Sequence, residues 1–407
     1  MNKPRTEDLL RELAPRVLGA LARRYGQFDA CEDAVQEALL SAALKWPEEG
    51  IPDNPRGWLQ TVAARRLVDE FRSDSARRRR EETAAILYPD PVAAGPDEDD
   101  TLQLLLMCCH PSLGAPSQLA LTLRAVGGLT TAEIASACFV PETTMAQRIS
   151  RAKQRIRSDG LQFSMPEATE LTVRMRVVLQ VLYLIFNEGY TATTGPSLHR
   201  TDLTVEAIRL TRMVHARMPD DGEVAGLLAL MLLTDARRPA RSREDGSLVP
   251  LDEQDRGLWN KSYIDEGIAI ITRTLGSGPI GPYQLQAAIS AVHDEAATAD
   301  DTDWQQILAL YGLLEQVSPS PVVTLNRAVA VAMVDGPRAA LGLLATLDAD
   351  DRISSSHRFH AVRAHLLERA GEREAARACY LLAARGTTSL PEQHYLQMKA
   401  AAIPGPS

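Results

Sequence analysis

Glu142, Thr143, Gln147 and Ser150 fall on one side of a helical segment over 141–157, with Arg148 and Arg151 on its flank. Met145, Ile149, Ala152 and Ile156 repeat at helical spacing on the other side. Amides, carboxylates and hydroxyls on a helix face can hydrogen-bond base edges, and flanking guanidinium groups can hold phosphates. The chemistry this pattern offers is recognition rather than bond making. The element that must position these residues begins at Gly127, where a shorter apolar stripe of Ile134, Ala135 and Cys138 predicts a first helix and a tight turn before the second. Together they predict a helix-turn-helix over 127–157. An ordinary helical hairpin with a basic, solvated face is the alternative.

A second basic element lies upstream, at 55–80. Trp58, Leu59, Val62, Ala63, Leu67 and Phe71 define its inner face, leaving Arg65, Arg66 and Arg72 at or near the surface before the run Arg77 to Arg80. A basic helix carrying an aromatic suits backbone neutralisation and stacking on an unpaired base. A solvated basic helix is the competing interpretation, and Trp58 is expected in the core under either.

Asp29-Ala-Cys-Glu-Asp-Ala-Val-Gln-Glu-Ala-Leu-Leu followed by Pro55-Arg-Gly-Trp-Leu resembles domain 2 of an extracytoplasmic-function (ECF) RNA polymerase sigma factor, and the helix-turn-helix resembles domain 4. The resemblance spans about residues 5 to 160, in the same order and without a domain 3. It implies a helical domain at 5–80, an acidic linker at 81–100 and a second domain at 101–160. The implied partners are core RNA polymerase, through its beta-prime clamp and beta flap, and promoter DNA. Asp33, Gln36, Glu37 and Leu40 would dock on the clamp, and Arg56, Trp58, Arg65, Arg66 and Arg72 would contact the minus-10 element during strand opening. Glu142, Thr143 and Gln147 would read the minus-35 element, with Thr144, Arg148, Arg151 and Lys153 holding phosphates. Arg66 stands where many relatives carry an asparagine, which leaves the base preference open. In related factors the connector threads the channel used by emerging RNA; here it is rich in proline and acid from Tyr88 to Asp100 and is expected to be extended, either as a nucleic-acid mimic or as a plain solvated tether.

The whole chain of 407 residues carries a formal net charge of -9, so basic charge is local and free DNA is expected to bind weakly, with polymerase supplying much of the affinity. No run has the pattern of a signal peptide or membrane span, and a cytoplasmic location is expected. Cys31, Cys108, Cys109, Cys138 and Cys379 make no zinc spacing and no disulfide framework. Cys108-Cys109-His110-Pro111 invites a metal or redox hypothesis, but neighbouring side chains rarely converge on one ion, and buried thiols are the preferred interpretation. The same run resembles a mark of one ECF branch with long C-terminal extensions. No metal, cofactor or catalytic residue is expected: the acid pairs Asp300-Asp301 and Asp350-Asp351 lack a nucleophile.

Past residue 160 the chain is expected to stay helical, with segments near 203–218, 222–235, 256–275 and 282–297 forming an extension domain over 171–297. Leu184-Ile-Phe-Asn-Glu-Gly-Tyr resembles the signature of the helical domain beside domain 4 in that branch; Asn187 and Glu188 would serve as cap or buried hydrogen-bonding groups, or line a polar pocket. The basic, turn-rich stretch 237–246 is expected to be an exposed loop. The glycines and prolines of 276–282 punctuate helices without phosphate-loop spacing. In 298–402, Ala328, Ala340 and Leu344 correspond to Ala364, Ala376 and Tyr380, a period of roughly 36 that resembles tetratricopeptide repeats of 34. Such stacks present concave surfaces to peptide or protein partners, although an alanine-rich bundle has similar composition. The fold class expected is all-α. The function expected is an ECF-type sigma factor with a regulatory C-terminal half; the alternative is a DNA-binding helical-repeat sensor or scaffold that does not start transcription.

Overall fold

The structure, a computed structural model, describes residues 6–78, 100–138, 140–161, 163–191, 194–195, 198–243, 245–276 and 278–403. The acidic linker, apart from Asp100, lies outside the described residues. The fold is all-α, as expected, with one two-residue parallel strand pairing among the described residues, noted below. No helix among the described residues is long and apolar enough to cross a membrane. The chain divides into two compact units, Met1–Leu182 and Tyr183–Ser407. The boundary falls inside one continuous helix.

Unit 1 opens with α1 (Thr6–Tyr25), α2 (Phe28–Glu49) and α3 (Pro55–Arg78). Leu10, Leu13, Ala14, Val17, Leu18 and Leu21 bury one stripe of α1, and Phe28, Cys31, Val35, Ala38, Leu39 and Ala42 bury the facing stripe of α2. The Asn54 side chain accepts from the Gly57 amide at 2.9 Å, with Pro55 at the first position of α3, so a cap and a preset φ start that helix together. Leu59, Ala63 and Leu67 of α3 are fully buried.

Four further helices follow: α4 (Thr101–Cys108), α5 (Ala115–Ala125), α6 (Thr131–Ala137) and α7 (Glu142–Ser158). Thr130 and Glu133 close a reciprocal capping box at the start of α6: the Thr130 amide donates to Glu133 at 2.7 Å and the Glu133 amide donates to Thr130 Oγ1 at 3.2 Å. Ile134 and Ala135 on α6 and Met145, Ile149, Ala152 and Ile156 on α7 are buried, as the apolar stripes predict, whereas Cys138 is only partly buried.

The helix α8 (Ala168–Tyr190) crosses the unit boundary. Unit 2 then contains α9 (Thr201–Arg217), α10 (Gly222–Ala236), α11 (Lys261–Thr274) and α12 (Pro282–Glu295). Every residue from Val224 to Leu233 is buried, so α10 is the central post against which α9, α11 and α12 pack. The expected helix at 256–275 begins only at Lys261, because Asn260 caps it through the Tyr263 amide at 3.2 Å and residues 256–258 form a tighter turn. Asn187 and Glu188 sit in the last turn of α8. The glycine beside them has a clear role: a Cβ on Gly189 would lie 2.6 Å from the Thr204 amide nitrogen, so only glycine lets α9 approach.

Residues 237–246 correct the expectation of an exposed basic loop. Arg237 is buried, pairs with Asp294 at 2.6 Å and lies over the Trp259 ring; Arg241 stacks 3.7 Å above the Tyr190 ring and donates to the Tyr190 carbonyl and to Thr191. Arg238 pairs with Asp235 at 2.9 Å. These arginines are internal struts whose partners lie 3 to 57 residues away. The expected exposure holds at Arg243, Asp245 and Gly246.

Two imidazoles share this region. Burial, with Arg241 beside it, lowers His199 to about 4, and burial, with Arg237 and Arg256 beside it, lowers His293 to about 3. In the pH interval from about 6.5 down to 4 the unfolded chain takes up protons at both positions and the folded chain does not, so acidification destabilises unit 2. Asp294, pushed by burial up to about 6 despite Arg237, opposes this with one proton between about 6 and 4. Thermal melts should show the unit-2 transition falling between pH 7 and pH 5, and His293→Gln should flatten that fall; an unchanged slope would contradict the assignment.

The C-terminal part stacks successive helices: α13 (Trp304–Val317), α14 (Pro321–Val334), α15 (Pro337–Ala345), the short α16 (Asp351–Ser354), α17 (His357–Arg369), α18 (Arg373–Gly386) and α19 (Leu390–Ala402). The pairs α14/α15 and α17/α18 carry Ala328, Ala340 and Leu344, and Ala364, Ala376 and Tyr380, all buried. Each pair turns through a left-handed glycine, Gly336 at φ 93° and Gly371 at φ 82°. The strand pairing is between β1 (Thr194–Gly195) and β2 (Thr388–Ser389), and joins the first loop of unit 2 to the start of α19.

Candidate polymerase and promoter interface

α7 exposes Glu142, Thr143, Thr144, Gln147, Ser150 and Arg151, with Arg148 half-buried at the edge. Polar groups on an exposed helix packed through its opposite face against α5 and α6 make a surface able to enter a major groove. Lys153 differs from its expected placement. It is buried and donates to Glu32 at 3.0 Å and to Asp33 at 2.6 Å, both on α2. Burial works against its charge, but the two carboxylates outweigh it and hold its pKa above the ordinary lysine value. In this conformation Lys153 faces protein, not solvent.

On α2, Asp33, Glu37 and Leu40 are exposed and Gln36 is half-buried. Leu40 is 63% and Leu44 68% exposed, one turn apart. Two large apolar side chains at that spacing form a small docking ridge that a solvated helix face does not need. On the neighbouring α3, Arg65 and Arg66 are exposed, and Arg66 pairs with Glu37 at 3.3 Å. Both partners of that pair are largely solvated, so it contributes little to stability. Arg56 and Trp58 are half-buried; the Trp58 ring meets Trp46 edge-on at 5.6 Å, so Trp58 is a rim residue resting on the core instead of a member of it. Arg72 belongs to α3, but its side chain, like that of Phe71, is outside the described residues.

Glu32, Arg124, Arg157 and Asp29 carry contacts that motif reasoning missed. Glu32 is 1% exposed and accepts from Arg124 at 2.8 Å, and Arg157 pairs with Asp29 at 2.9 Å. The detectable signal for Glu32 was its place on the apolar stripe of α2, where a charge requires a partner.

Cys108 and Cys109 are buried at the end of α4. Burial pushes both thiols up, Cys109 to about 12 even with the Thr122 hydroxyl at 3.5 Å, so neither is a thiolate at neutral pH. His110 instead lines a polar cleft of about 240 Å³ with Met107, Met165, Glu167, Glu170 and Arg174. Among the described residues no group of three or more His, Cys, Asp or Glu side chains is placed to hold a metal.

Residues 9–77 match sigma-70 region 2, residues 103–156 match sigma-70 region 4, and residues 174–275 match a family of unknown function, DUF6596. The chain is 40% identical over 393 residues to the uncharacterized protein R00370 of Rhizobium meliloti (strain 1021), covering 95% of this chain and 92% of that one. No solved structure matches. Regions 2 and 4 are the parts with which sigma factors bind core RNA polymerase and promoter DNA, and they coincide here with the α2–α3 ridge and the exposed face of α7. Sigma-70 regions 2 and 4 in this order mark the chain as a sigma factor for promoter-specific transcription initiation, with region 4 followed by a DUF6596 segment.

Proposed function

We propose that this protein is an ECF-type sigma factor acting in the cytoplasm, with its own C-terminal half as regulator. The observation that carries the proposal is the pairing, in one chain, of an exposed Leu40–Leu44 ridge on region 2 with an exposed polar face on the region 4 helix. Asp33, Gln36, Glu37 and Leu40 dock on the beta-prime clamp, and region 4 meets the beta flap. Arg56, Trp58, Arg65, Arg66 and Arg72 act at the minus-10 element. Glu142, Thr143 and Gln147 read the minus-35 element, while Thr144, Arg148, Arg151 and, after rearrangement, Lys153 hold phosphates. The helix pairs of the C-terminal part act as a tetratricopeptide-like surface for a protein or peptide partner.

A chain truncated near residue 160 tests the regulatory half. It should initiate at the same promoter but lose the dependence on signal that the full chain has; identical regulation of both chains would rule that half out as regulator. For promoter reading, Gln147→Ala is expected to cost about 1–3 kcal/mol of discrimination at one base pair. Arg148→Ala should weaken matched and mismatched promoters alike and lower the salt slope by about 1. Promoter binding at several salt concentrations separates the two, and unaltered affinity for Arg148→Ala would remove that residue from the interface.

A further inference from the structure

Regions 2 and 4 touch in this structure, through charge. The C-terminal half of α7 lies against the N-terminal half of α2: Lys153 is bound by Glu32 and Asp33, Arg124 from α5 braces the other oxygen of Glu32, and Arg157 pairs with Asp29. A second contact, Arg11 to Glu133 at 2.8 Å, ties α1 to the start of α6. Glu32 is the hub, because it is fully buried and both of its oxygens are taken by cations from region 4.

From this geometry we infer that the sigma half holds itself shut by a Glu32-centred ion lock, which polymerase docking opens. The inference rests on the sigma-factor reading above. Elements centred about 25 base pairs apart lie about 85 Å apart on B-form DNA at about 3.4 Å per pair. Helices α2 and α7 joined by ion pairs of 2.6–3.0 Å cannot place regions 2 and 4 on both elements at once. The locked state also neutralises a clamp-docking residue, Asp33, with a phosphate-binding one, Lys153. Asp33 remains largely solvent-accessible while paired, and Leu40 and Leu44, about two and three turns beyond it, are uncovered. Polymerase therefore has a starting contact on the open half of α2, and full engagement of Asp33 competes directly with Lys153. Breaking the lock frees Lys153 for DNA at the same step, so factor that has not met polymerase cannot hold both promoter elements at once.

The test uses the full-length chain and residues outside the proposed docking and DNA-reading sets. Glu32→Gln keeps the shape of the hub and removes its charge. Hydrogen exchange over 29–36 and 147–157 should accelerate together, and binding to purified core polymerase should tighten, each by about tenfold or more, a fraction of what breaking a buried pair costs. If Glu32→Gln unfolds unit 1, the surface pair decides: Arg157→Glu should open the same two segments, and Arg157→Glu with Asp29→Arg should close them again. Unchanged exchange in Glu32→Gln and Arg157→Glu, or opening that the double swap does not reverse, would overturn the lock. Wild-type chain that fails to bind core polymerase would sink the sigma-factor reading instead, with the exchange data still deciding whether the ion pairs hold the two regions together.

Discussion

Replacing Leu40 and Leu44 together with aspartate is expected to weaken binding to core RNA polymerase by about 100-fold, equivalent to about 2.7 kcal/mol, within the range of an interface hot spot. Both side chains project into solvent in the free protein, so the variant should melt like wild type. The loss arises in the complex, where two carboxylates would be carried into an apolar contact without partners. Alanine at both positions removes apolar area alone and should cost less. Binding of duplex DNA by region 4 should not change, because the proposed reading face is on α7 and the substitutions are on α2. Polymerase affinity equal to wild type in the aspartate variant would mean that the ridge on α2 is not the docking surface.

The largest stability effect belongs to unit 2. Asp294→Ala leaves Arg237 buried without its carboxylate, and breaking a buried pair by removing one partner costs about 3–5 kcal/mol. Arg237 retains one bond, from Nη2 to the Ser290 carbonyl at 2.9 Å, and its stacking on Trp259, which together do not replace a counter-charge. Asp294→Asn keeps an acceptor in place and should cost less. Chemical denaturation of the full chain should move the unit-2 transition while the unit-1 transition stays; an unmoved unit-2 transition would show that this arginine is not a strut. The same mutation should erase Asp294's opposition to acid destabilisation, making the pH dependence steeper below pH 6.

Much of the site was legible in the sequence because surface recognition uses residues whose spacing follows one helix. The stripe Met145, Ile149, Ala152 and Ile156 marks the buried side of α7, and the residues opposite it are exposed as expected. The burial of Lys153 was unexpected, yet its reason is visible in the same periodicity: it stands four residues after Ile149 and three before Ile156, on the apolar side, and only an acid supplied by another helix makes that tolerable. That acid is 121 residues away, which no local pattern reveals. Arg237, Arg238 and Arg241 fail the same test. Their composition is that of a loop, but Asp294, Trp259 and Tyr190 are brought to them by the packing of α12, the turn before α11 and the end of α8. The repeat positions Ala328, Ala340, Ala364 and Ala376 were legible because small residues at a fixed period have one physical use, the close approach of paired helices. Leu44 went unnoticed because exposure, not residue type, distinguishes it.

The central claim, that this chain directs polymerase to promoters through regions 2 and 4, is tested most directly by in-vitro transcription with purified core polymerase followed by mapping of transcript starts. Discrete starts that depend on the added protein are expected, preceded by two elements whose mutation abolishes them, and lost with Leu40 and Leu44 replaced by aspartate. Starts that are absent, or that do not differ from those of core polymerase alone, would contradict it.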